Sequence, residues 1–144
     1  MVGYWKNPEA TAEVFNDDGW FKSGDLGYFD GPFLHIVDRV KDLVIRGGEN
    51  ISCIEVEAAI YEHSDVLEAC IIGIPDERLG EQVAAAIHLK PGVEKLPKDI
   101  QEFLDGKIAK FKIPFEIRFY TDPLPKIASG KFDKPQLRKL FAGN

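Results

Sequence analysis

The chain has 144 residues, 44% of them hydrophobic, which predicts a single compact domain with one core and at most an appended segment. No apolar run approaches the roughly 20 residues that span a bilayer, and the N-terminus lacks the charged and apolar regions of a signal peptide. The two cysteines, Cys53 and Cys70, lack metal-ligand spacing, so we expect a reduced, cytoplasmic protein without a metal site.

The charge is unevenly distributed along the chain, although the net value is only −6. Residues 1–105 carry 9 basic and 21 acidic side chains, whereas residues 106–144 carry 9 basic and 3 acidic ones. The cationic C-terminal end could face an anionic ligand such as a phosphate, although most of its lysines, taken singly, fit an ordinary solvated surface. No aromatic-interleaved basic stripe accompanies the charge, so nucleic acid is not expected as a partner.

The first elements are a short helix and a β-hairpin. Asn7 followed by Pro8 indicates a helix start, because asparagine caps free N–H groups and proline is tolerated at the first helical position. Residues 26–29 and 33–37 are aromatic-rich runs on either side of Asp30-Gly31, a dipeptide that favours the tight turn of a hairpin.

A charged stretch, residues 38–42, separates these elements from the next apolar segment. Such a position is typical of a domain boundary and suits a hinge. We therefore predict one unit over residues 1–38 and a second over residues 39–144.

The second unit opens with a predicted strand over residues 43–45 and a loop over residues 47–50. Ser52 and Glu55 have the spacing of a capping box, which predicts a helix from about residue 54 to residue 62. Two β-branched runs, residues 66–74 and 82–89, then predict strands that share one sheet and are joined by a surface loop.

The last third of the chain is predicted to hold two helices and one strand. Ile100, Phe103, Leu104 and Ile108 recur at helical spacing, and residues 115–120 alternate like a strand. After a polar loop that contains Ser129-Gly130-Lys131, Asp133 can cap a final helix.

Three features permit a chemical role. Asp25 follows Gly24, where a sharp turn can present a carboxylate to two vicinal hydroxyls, although Gly-Asp is usually only a turn. Arg39, Lys41 and the pair Gly47-Gly48 could receive phosphate and sugar oxygens, or could form a charged linker followed by a hairpin-like turn. Lys131 could reach an oxygen that gains charge during a reaction, although most exposed lysines serve solubility alone.

In combination these features are far more specific. Five motifs occur in order along the chain, and they are Gly3-Tyr4-Trp5, residues 19–27, residues 38–42, Gly47-Gly48-Glu49-Asn50 and Ser129-Gly130-Lys131. In order and spacing they resemble the C-terminal part of the adenylate-forming enzymes, particularly the fatty-acyl-CoA synthetases. The resemblance implies an α+β fold, with a β-hairpin followed by a mainly three-stranded sheet packed with helices.

The resemblance also implies a reaction in two steps. A carboxylic acid, by preference a fatty acid, attacks the α-phosphate of ATP to give an acyl-adenylate and pyrophosphate, and the thiol of coenzyme A then displaces AMP. ATP with Mg²⁺ and coenzyme A are thus substrates, and no tightly bound cofactor is expected. The family's phosphate loop and acyl pocket belong to a large N-terminal domain that nothing in this sequence resembles. Residues 1–38 are then the end of that domain, residues 39–144 a small mobile catalytic domain, and the fragment inactive alone.

By the same resemblance, three residues match groups that contact the reacting nucleotide. Asp25 matches the aspartate that holds the ribose hydroxyls, and Arg39 matches an arginine that also contacts the nucleotide. Lys131 matches the catalytic lysine of adenylation. One ammonium between carboxylate and phosphate oxygens would orient both reactants and offset their repulsion.

Two further matches concern movement and the second step. Lys41 falls on the family's hinge, about which the small domain swings between the two half-reactions. Gly47, Gly48, Glu49 and Asn50 match the loop that family members turn into the active site for the thioester step, where the glycines let the pantetheine arm pass. A rotation about Lys41 would exchange this loop for Lys131.

Two alternatives stay open at this point. The chain could be a stand-alone binding module that has kept the fold, but a pure scaffold has no need of Asp25, Arg39 and Lys131. It could also belong to a luciferase-like enzyme or to an amino-acid adenylating domain. The Gly-Gly-Glu-Asn loop resembles that of the acyl-CoA synthetases more than that of the amino-acid enzymes.

Overall fold

The chain folds into two compact units, Met1–Lys41 and Asp42–Asn144, in a computed structural model that describes residues 1–143. The units divide three residues after the predicted boundary between residues 38 and 39. The assignment of the two parts to different domains of a larger enzyme stays a prediction. Within residues 1–143, no helix is both long enough and apolar enough to cross a bilayer.

The first unit contains the predicted helix and hairpin. Helix α1 (Pro8–Val14) begins at Pro8, and the Asn7 side chain accepts a hydrogen bond from the Ala10 N–H at 3.0 Å, as its capping role predicts. Strands β1 (Asp25–Asp30) and β2 (Phe33–Arg39) pair antiparallel around Gly31, whose φ of +57° suits glycine.

Apolar side chains of this unit lie mostly on its surface. Only Asp38 is buried in the two strands. The large apolar residues that are more than half exposed include Trp20, Tyr28, Phe29, Phe33, Leu34 and Ile36. An exposed apolar surface of this kind is typical of a face that another part of a protein covers.

The second unit is built on a five-stranded sheet. Its strands are β3 (Val44–Arg46), β4 (Glu49–Ile51), β5 (Val66–Asp76), β6 (Gly80–Leu89) and β7 (Glu116–Tyr120). The order is β4-β3-β6-β5, with β7 parallel to β6 and all other pairs antiparallel. The expected mainly three-stranded sheet corresponds to the three longer strands, and the short β3–β4 hairpin adds two more.

Helices cover both faces of this sheet. Helices α2 (Cys53–Tyr61) and α3 (Pro97–Leu104) cover one face, where they bury alternate strand residues such as Ile71, Val83 and Ile87. Helix α4 (Lys134–Phe141) covers the other face through Leu137 and Phe141. Successive side chains of β5 and β6 point to opposite faces of the sheet and therefore belong to two separate cores.

Two predicted helix caps are confirmed, and the predicted extent of the third helix is wrong. Ser52 caps α2 by accepting from the Glu55 N–H, and Asp133 caps α4 by accepting from the Gln136 N–H, which confirms both predicted caps. The prediction that Ile108 belongs to the third helix is wrong. Asp105 is extended and Gly106 has a φ of +79°, so α3 ends at Leu104.

Side chains of α2 cover the outer edge of β5. The Tyr61 hydroxyl accepts from the Ala69 N–H at 3.0 Å and donates to the Ala69 carbonyl at 3.4 Å. Two residues further on, the Glu57 carboxylate accepts from the Ile71 N–H at 2.8 Å. Backbone groups that face away from β6 are therefore satisfied by side chains of the helix.

Candidate functional site

The Asp25 carboxylate lies at the start of β1, directly opposite Arg39. Gly24 turns the chain with a φ of +76°, and the Ser23 hydroxyl accepts from the Asp25 N–H at 3.1 Å. Asp25 Oδ1 lies 3.2 Å from Arg39 Nε, and the two side chains are 31% and 49% exposed. An ion pair this exposed contributes about 0–1 kcal/mol to stability, so a ligand could rearrange it at little cost.

Asp38 fixes the end of β2 next to Arg39. It is 4% exposed, and its Oδ1 accepts from the Arg39 N–H at 2.7 Å. In the sequence, this aspartate stands out only as one member of the charged stretch over residues 38–42. Because a buried carboxylate is stabilised by such hydrogen bonds, Asp38 holds the backbone from which the Arg39 side chain projects.

Lys41 occupies a short 3-10 turn, Val40–Asp42, at the division between the two compact units. Its side chain is exposed. The next residue is held firmly, because the buried Cys53 thiol donates to the Asp42 carbonyl at 2.7 Å. The first residue of the second unit is thereby tied to the start of α2.

The predicted four-residue loop at Gly47, Gly48, Glu49 and Asn50 is instead a tight hairpin turn. Gly47 and Gly48, with φ values of +59° and +89°, form the turn itself, and Glu49 and Asn50 already belong to β4. Two consecutive positive φ angles are what a two-residue hairpin connection requires, and only glycine adopts them freely. All four residues are exposed.

A hydrogen-bonded network fixes this glycine turn against the turn between β5 and β6. The Gly47 N–H donates to the Leu79 carbonyl at 2.8 Å, and Arg46 Nε donates to Gln82 Oε1 at 2.7 Å. Asp76 accepts from the Leu79 N–H at 2.8 Å. This hydrogen bond is the main cause that holds the pKa of the Asp76 carboxyl below its usual range. The glycine turn is therefore exposed but rigidly supported.

Lys131 lies on an exposed loop between β7 and α4. Its carbonyl accepts from the Ile127 N–H, and the Gly130 N–H donates to the Ile127 carbonyl, both at 2.9 Å. Within residues 1–143 the Lys131 ammonium contacts no hydrogen-bonding or ion-pairing partner. Nearby Lys126 and Lys134, in contrast, pair with Glu68 and Glu57. The cation at position 131 is thus available to a ligand.

Lys131 and the glycine turn belong to opposite ends of the β5–β6 hairpin. The Lys131 loop is attached through Lys126 to Glu68, near the start of β5. The glycine turn is attached next to Asp76, at the end of that strand. Glu68 and Asp76 are eight positions apart along the strand, or about 26 Å at roughly 3.3 Å per residue. The Lys131 loop and the glycine turn are therefore attached to well-separated parts of the same domain.

The cysteines and the possible metal-ligating side chains of residues 1–143 offer no second candidate site. Both cysteines are buried and neither forms a disulfide bond, and burial raises the pKa of the Cys70 thiol to about 12, which leaves it a poor nucleophile. Across residues 1–143 no group of three or more His, Cys, Asp or Glu side chains could hold a metal ion.

This α+β architecture is that of the small domain of adenylate-forming enzymes. The chain belongs to the AMP-binding enzyme C-terminal domain family, which matches residues 55–131. Lys131 is the last residue of this match. Asp25, Arg39, Lys41 and the glycine turn lie before the matched residues.

Curated relatives extend the similarity over nearly the whole chain. The 2-methylpropanoate–CoA ligase of Humulus lupulus is 44% identical over 99% of the chain and 26% of its own length. The oxalate–CoA ligase of Arabidopsis thaliana is 45% identical over 96% of the chain and 27% of its own length. The chain thus spans about a quarter of the length of these acyl-CoA ligases.

A solved structure shows the same architecture. ATP-bound MatB from Rhodopseudomonas palustris superimposes with a TM-score of 0.87, at 39% identity, over 98% of this chain and 28% of that protein. The family expected from the motifs is therefore confirmed, whereas the roles of the individual site residues stay predictions.

Proposed function

We propose that this chain is the catalytic C-terminal part of an ATP-dependent acyl-CoA ligase that activates a carboxylic acid, most simply a fatty acid. A carboxylate oxygen of the acid attacks the α-phosphorus of ATP, with Mg²⁺ as the nucleotide's counter-ion, and pyrophosphate leaves. The thiolate of coenzyme A then attacks the acyl carbonyl carbon, and AMP leaves. The observation that carries the proposal is an exposed Lys131 whose ammonium has no partner among residues 1–143, in a domain of this family.

Asp25 and Arg39 supply the nucleotide contacts in this proposal. A carboxylate can accept from both ribose hydroxyls, and a guanidinium can donate to phosphate or sugar oxygens. Their side chains lie 3.2 Å apart, and because this exposed ion pair is weak, ATP can replace its contacts at little cost.

Lys131 supplies the charge for the first half-reaction. Its ammonium would contact the attacking carboxylate and the α-phosphate, which brings two anions together and stabilises the charge that develops. Because no neighbouring carboxylate in residues 1–143 neutralises it, this charge need not be released from another ion pair beforehand.

The glycine turn serves the second half-reaction. Gly48 has open space around the position of a Cβ atom, so the pantetheine arm of coenzyme A can pass close to the backbone there. Since this turn and the Lys131 loop are attached at opposite ends of β5, presenting one and then the other to the acyl group requires a rotation. Lys41, in the 3-10 turn where the units divide, is the proposed hinge.

A large N-terminal domain is the required partner in this proposal. The exposed apolar side chains of residues 1–38 are suited to packing against it, which supports their assignment to the end of that domain. The phosphate loop and the acyl pocket would both come from this partner. The chain by itself is therefore expected to be inactive.

In this proposal, the residues that select the acid substrate lie outside this chain. Relatives named for a branched monocarboxylate and for a dicarboxylate are 44% and 45% identical to it, so similarity in this part does not follow the acid. A fatty acid stays the simplest proposal because the motifs resemble the fatty-acyl-CoA synthetases.

The test uses the chain together with its N-terminal domain and separates the two half-reactions. Lys131→Ala should slow pyrophosphate release from ATP and acid by at least about 100-fold, a loss typical of a group that stabilises transition-state charge. Conversion of a pre-formed acyl-adenylate to the thioester should change less than about threefold. Lys139→Ala, on an exposed residue of α4, is the matched control. Undiminished pyrophosphate release by Lys131→Ala would exclude the proposed role.

A further inference from the structure

Glu68, on β5, is one of the points where the Lys131 loop contacts the sheet. Its Oε1 accepts a short hydrogen bond from the Lys126 ammonium, and its Oε2 accepts from the Leu124 N–H at 2.7 Å. The side chain is only 17% exposed, and Leu124 beside it is 2% exposed. One carboxylate thus binds both a side chain and the backbone of the segment that leads to Lys131.

A histidine lies against this carboxylate from the neighbouring strand. His88 Nδ1 is buried 3.5 Å from Glu68 Oε2, and it has no hydrogen-bond partner among residues 1–143. The contact leaves the carboxylate little freedom to turn away from the loop. The Glu68 carboxylate therefore contacts both His88 on β6 and the segment that leads to Lys131.

Lys126 links the Glu68 contact to the backbone of Lys131. Its ammonium lies 5.5 Å from the centre of the Phe132 ring, and residues 126 and 132 form an antiparallel bridge. Inside that bridge, Ile127 donates its N–H to the Lys131 carbonyl at 2.9 Å. The backbone of Lys131 is therefore positioned by a bridge whose first residue is bound to Glu68.

We propose that Glu68 is a positioning residue for Lys131, acting through Lys126 and the 126–132 bridge. The proposal rests on the adenylation role of Lys131 given above. Because the Lys131 ammonium has no protein partner in the described chain, its placement depends on its backbone alone. Loss of the Glu68 contact leaves the loop attached by the buried Leu124 and by α4, so the loop loosens without unfolding the domain.

The first test measures the loop directly in the 144-residue chain. Amide hydrogen exchange at Ile127 and Gly130 should become about tenfold faster in Glu68→Gln and in Lys126→Met, and Lys126→Arg should restore most of the protection. Asp65→Asn is the matched control, because Asp65 pairs with Lys95 at 3.1 Å near the same end of β5 but not with this loop. Unchanged exchange at Ile127 and Gly130 in both variants would overturn the proposal.

The second test measures the half-reactions of the chain joined to its N-terminal domain. Glu68→Gln should lower kcat for pyrophosphate release about tenfold, with KM for ATP and the thioester step each changed less than about twofold. In a Lys131→Ala background, Glu68→Gln should have no further effect on pyrophosphate release. Equal losses in both half-reactions would show a general structural role and overturn the proposal.

The two tests also separate this inference from the proposed function. If Lys131→Ala leaves pyrophosphate release intact, the adenylation role fails, and the exchange rates at Ile127 and Gly130 still decide whether Glu68 positions the loop. If Lys131→Ala abolishes release while Glu68→Gln changes neither release nor exchange, only the role of Glu68 fails.

Discussion

Asp25 faces Arg39 across the first hairpin because the register shifts by one residue between Leu26 and Gly27. From the turn up to Gly27 the strands pair regularly, and an uninterrupted register would place Asp25 opposite Asp38 instead. The irregularity therefore replaces a repulsive pair of carboxylates by an ion pair of 3.2 Å. A bulge that re-aims side chains is a common device next to binding sites.

Gly27→Ala should disturb this register. A Cβ atom at residue 27 would lie 2.7 Å from the His35 carbonyl oxygen, which belongs to the backbone and can move only with its strand. We expect KM for ATP to rise about tenfold in the complete ligase, which corresponds to about 1.4 kcal/mol of lost binding. The measurement is pyrophosphate release against ATP concentration. Asp30→Asn, at the other end of β1, serves as control, and an unchanged KM in Gly27→Ala would contradict the importance of the register.

Gly48→Asn should separate the two half-reactions in the opposite sense to Lys131→Ala. Asparagine tolerates a positive φ better than most residues, and nothing lies within 4 Å of the new Cβ, so the domain should lose less than about 1 kcal/mol of stability. In the proposed thioester step, the added side chain would obstruct passage of the pantetheine arm. We expect thioester formation to slow about tenfold with pyrophosphate release unchanged. Full thioester activity in this variant would argue against close passage of coenzyme A at this turn.

Gly73→Ala should weaken the support of the glycine turn from inside the sheet. The Glu81 carboxylate lies where a Cβ of residue 73 would be, with Oε1 at 2.7 Å, and its Oε2 accepts from the Ile45 N–H at 2.8 Å. The flexible carboxylate can move aside, but only by leaving that N–H. The expected loss of unfolding free energy is about 1–3 kcal/mol, measured by urea denaturation of the chain. Glu81→Gln keeps an acceptor and should lose less; equal stability of Gly73→Ala and the parent would refute this account.

Stability should depend on acid pH through Glu68. Burial alone would raise the pKa of its carboxyl, but the hydrogen bonds from Lys126 and Leu124 and the charges of Lys126 and His88 together lower it below 4.5. A carboxyl whose pKa is lowered on folding stabilises the folded state above its unfolded pKa, and this contribution fades as pH falls through the folded value.

Glu68→Gln should therefore be less stable than the parent chain near pH 7, by about 1–2 kcal/mol. The difference should shrink below about pH 4.5, the ordinary value for the carboxyl. Urea denaturation at a series of pH values between about 7 and 3 measures it, and the decisive points lie below the range in which an ordinary histidine titrates. A difference that stays constant down to pH 3 would show that the charge of Glu68 contributes nothing.

Local chemistry made much of this fold predictable from sequence. Asn7, Ser52 and Asp133 cap helices as predicted, because a cap depends only on a side chain and the three residues that follow it. The hairpin around Gly31 was likewise predicted from its turn residues.

Long-range features were not predictable in the same way. The bulge at Leu26 and Gly27 has no sequence signal of its own, so the pairing of Asp25 with Arg39 was not anticipated. The short strand that begins at Glu49 was predicted as loop, because three residues carry too little periodicity to identify a strand. Glu68 was missed because its partners, Leu124 and Lys126, lie more than fifty residues away along the chain.

The covered edge of β5 limits how this domain can associate with other chains. An incoming strand would need free N–H and C=O groups along that edge, yet Tyr61 occupies both groups of Ala69 and Glu57 occupies the N–H of Ile71. Docking of a foreign strand there would first have to displace two side chains of α2. The helix thus protects the domain against edge-to-edge aggregation, and Tyr61→Phe combined with Glu57→Ala should make aggregation on mild heating faster, as light scattering can measure.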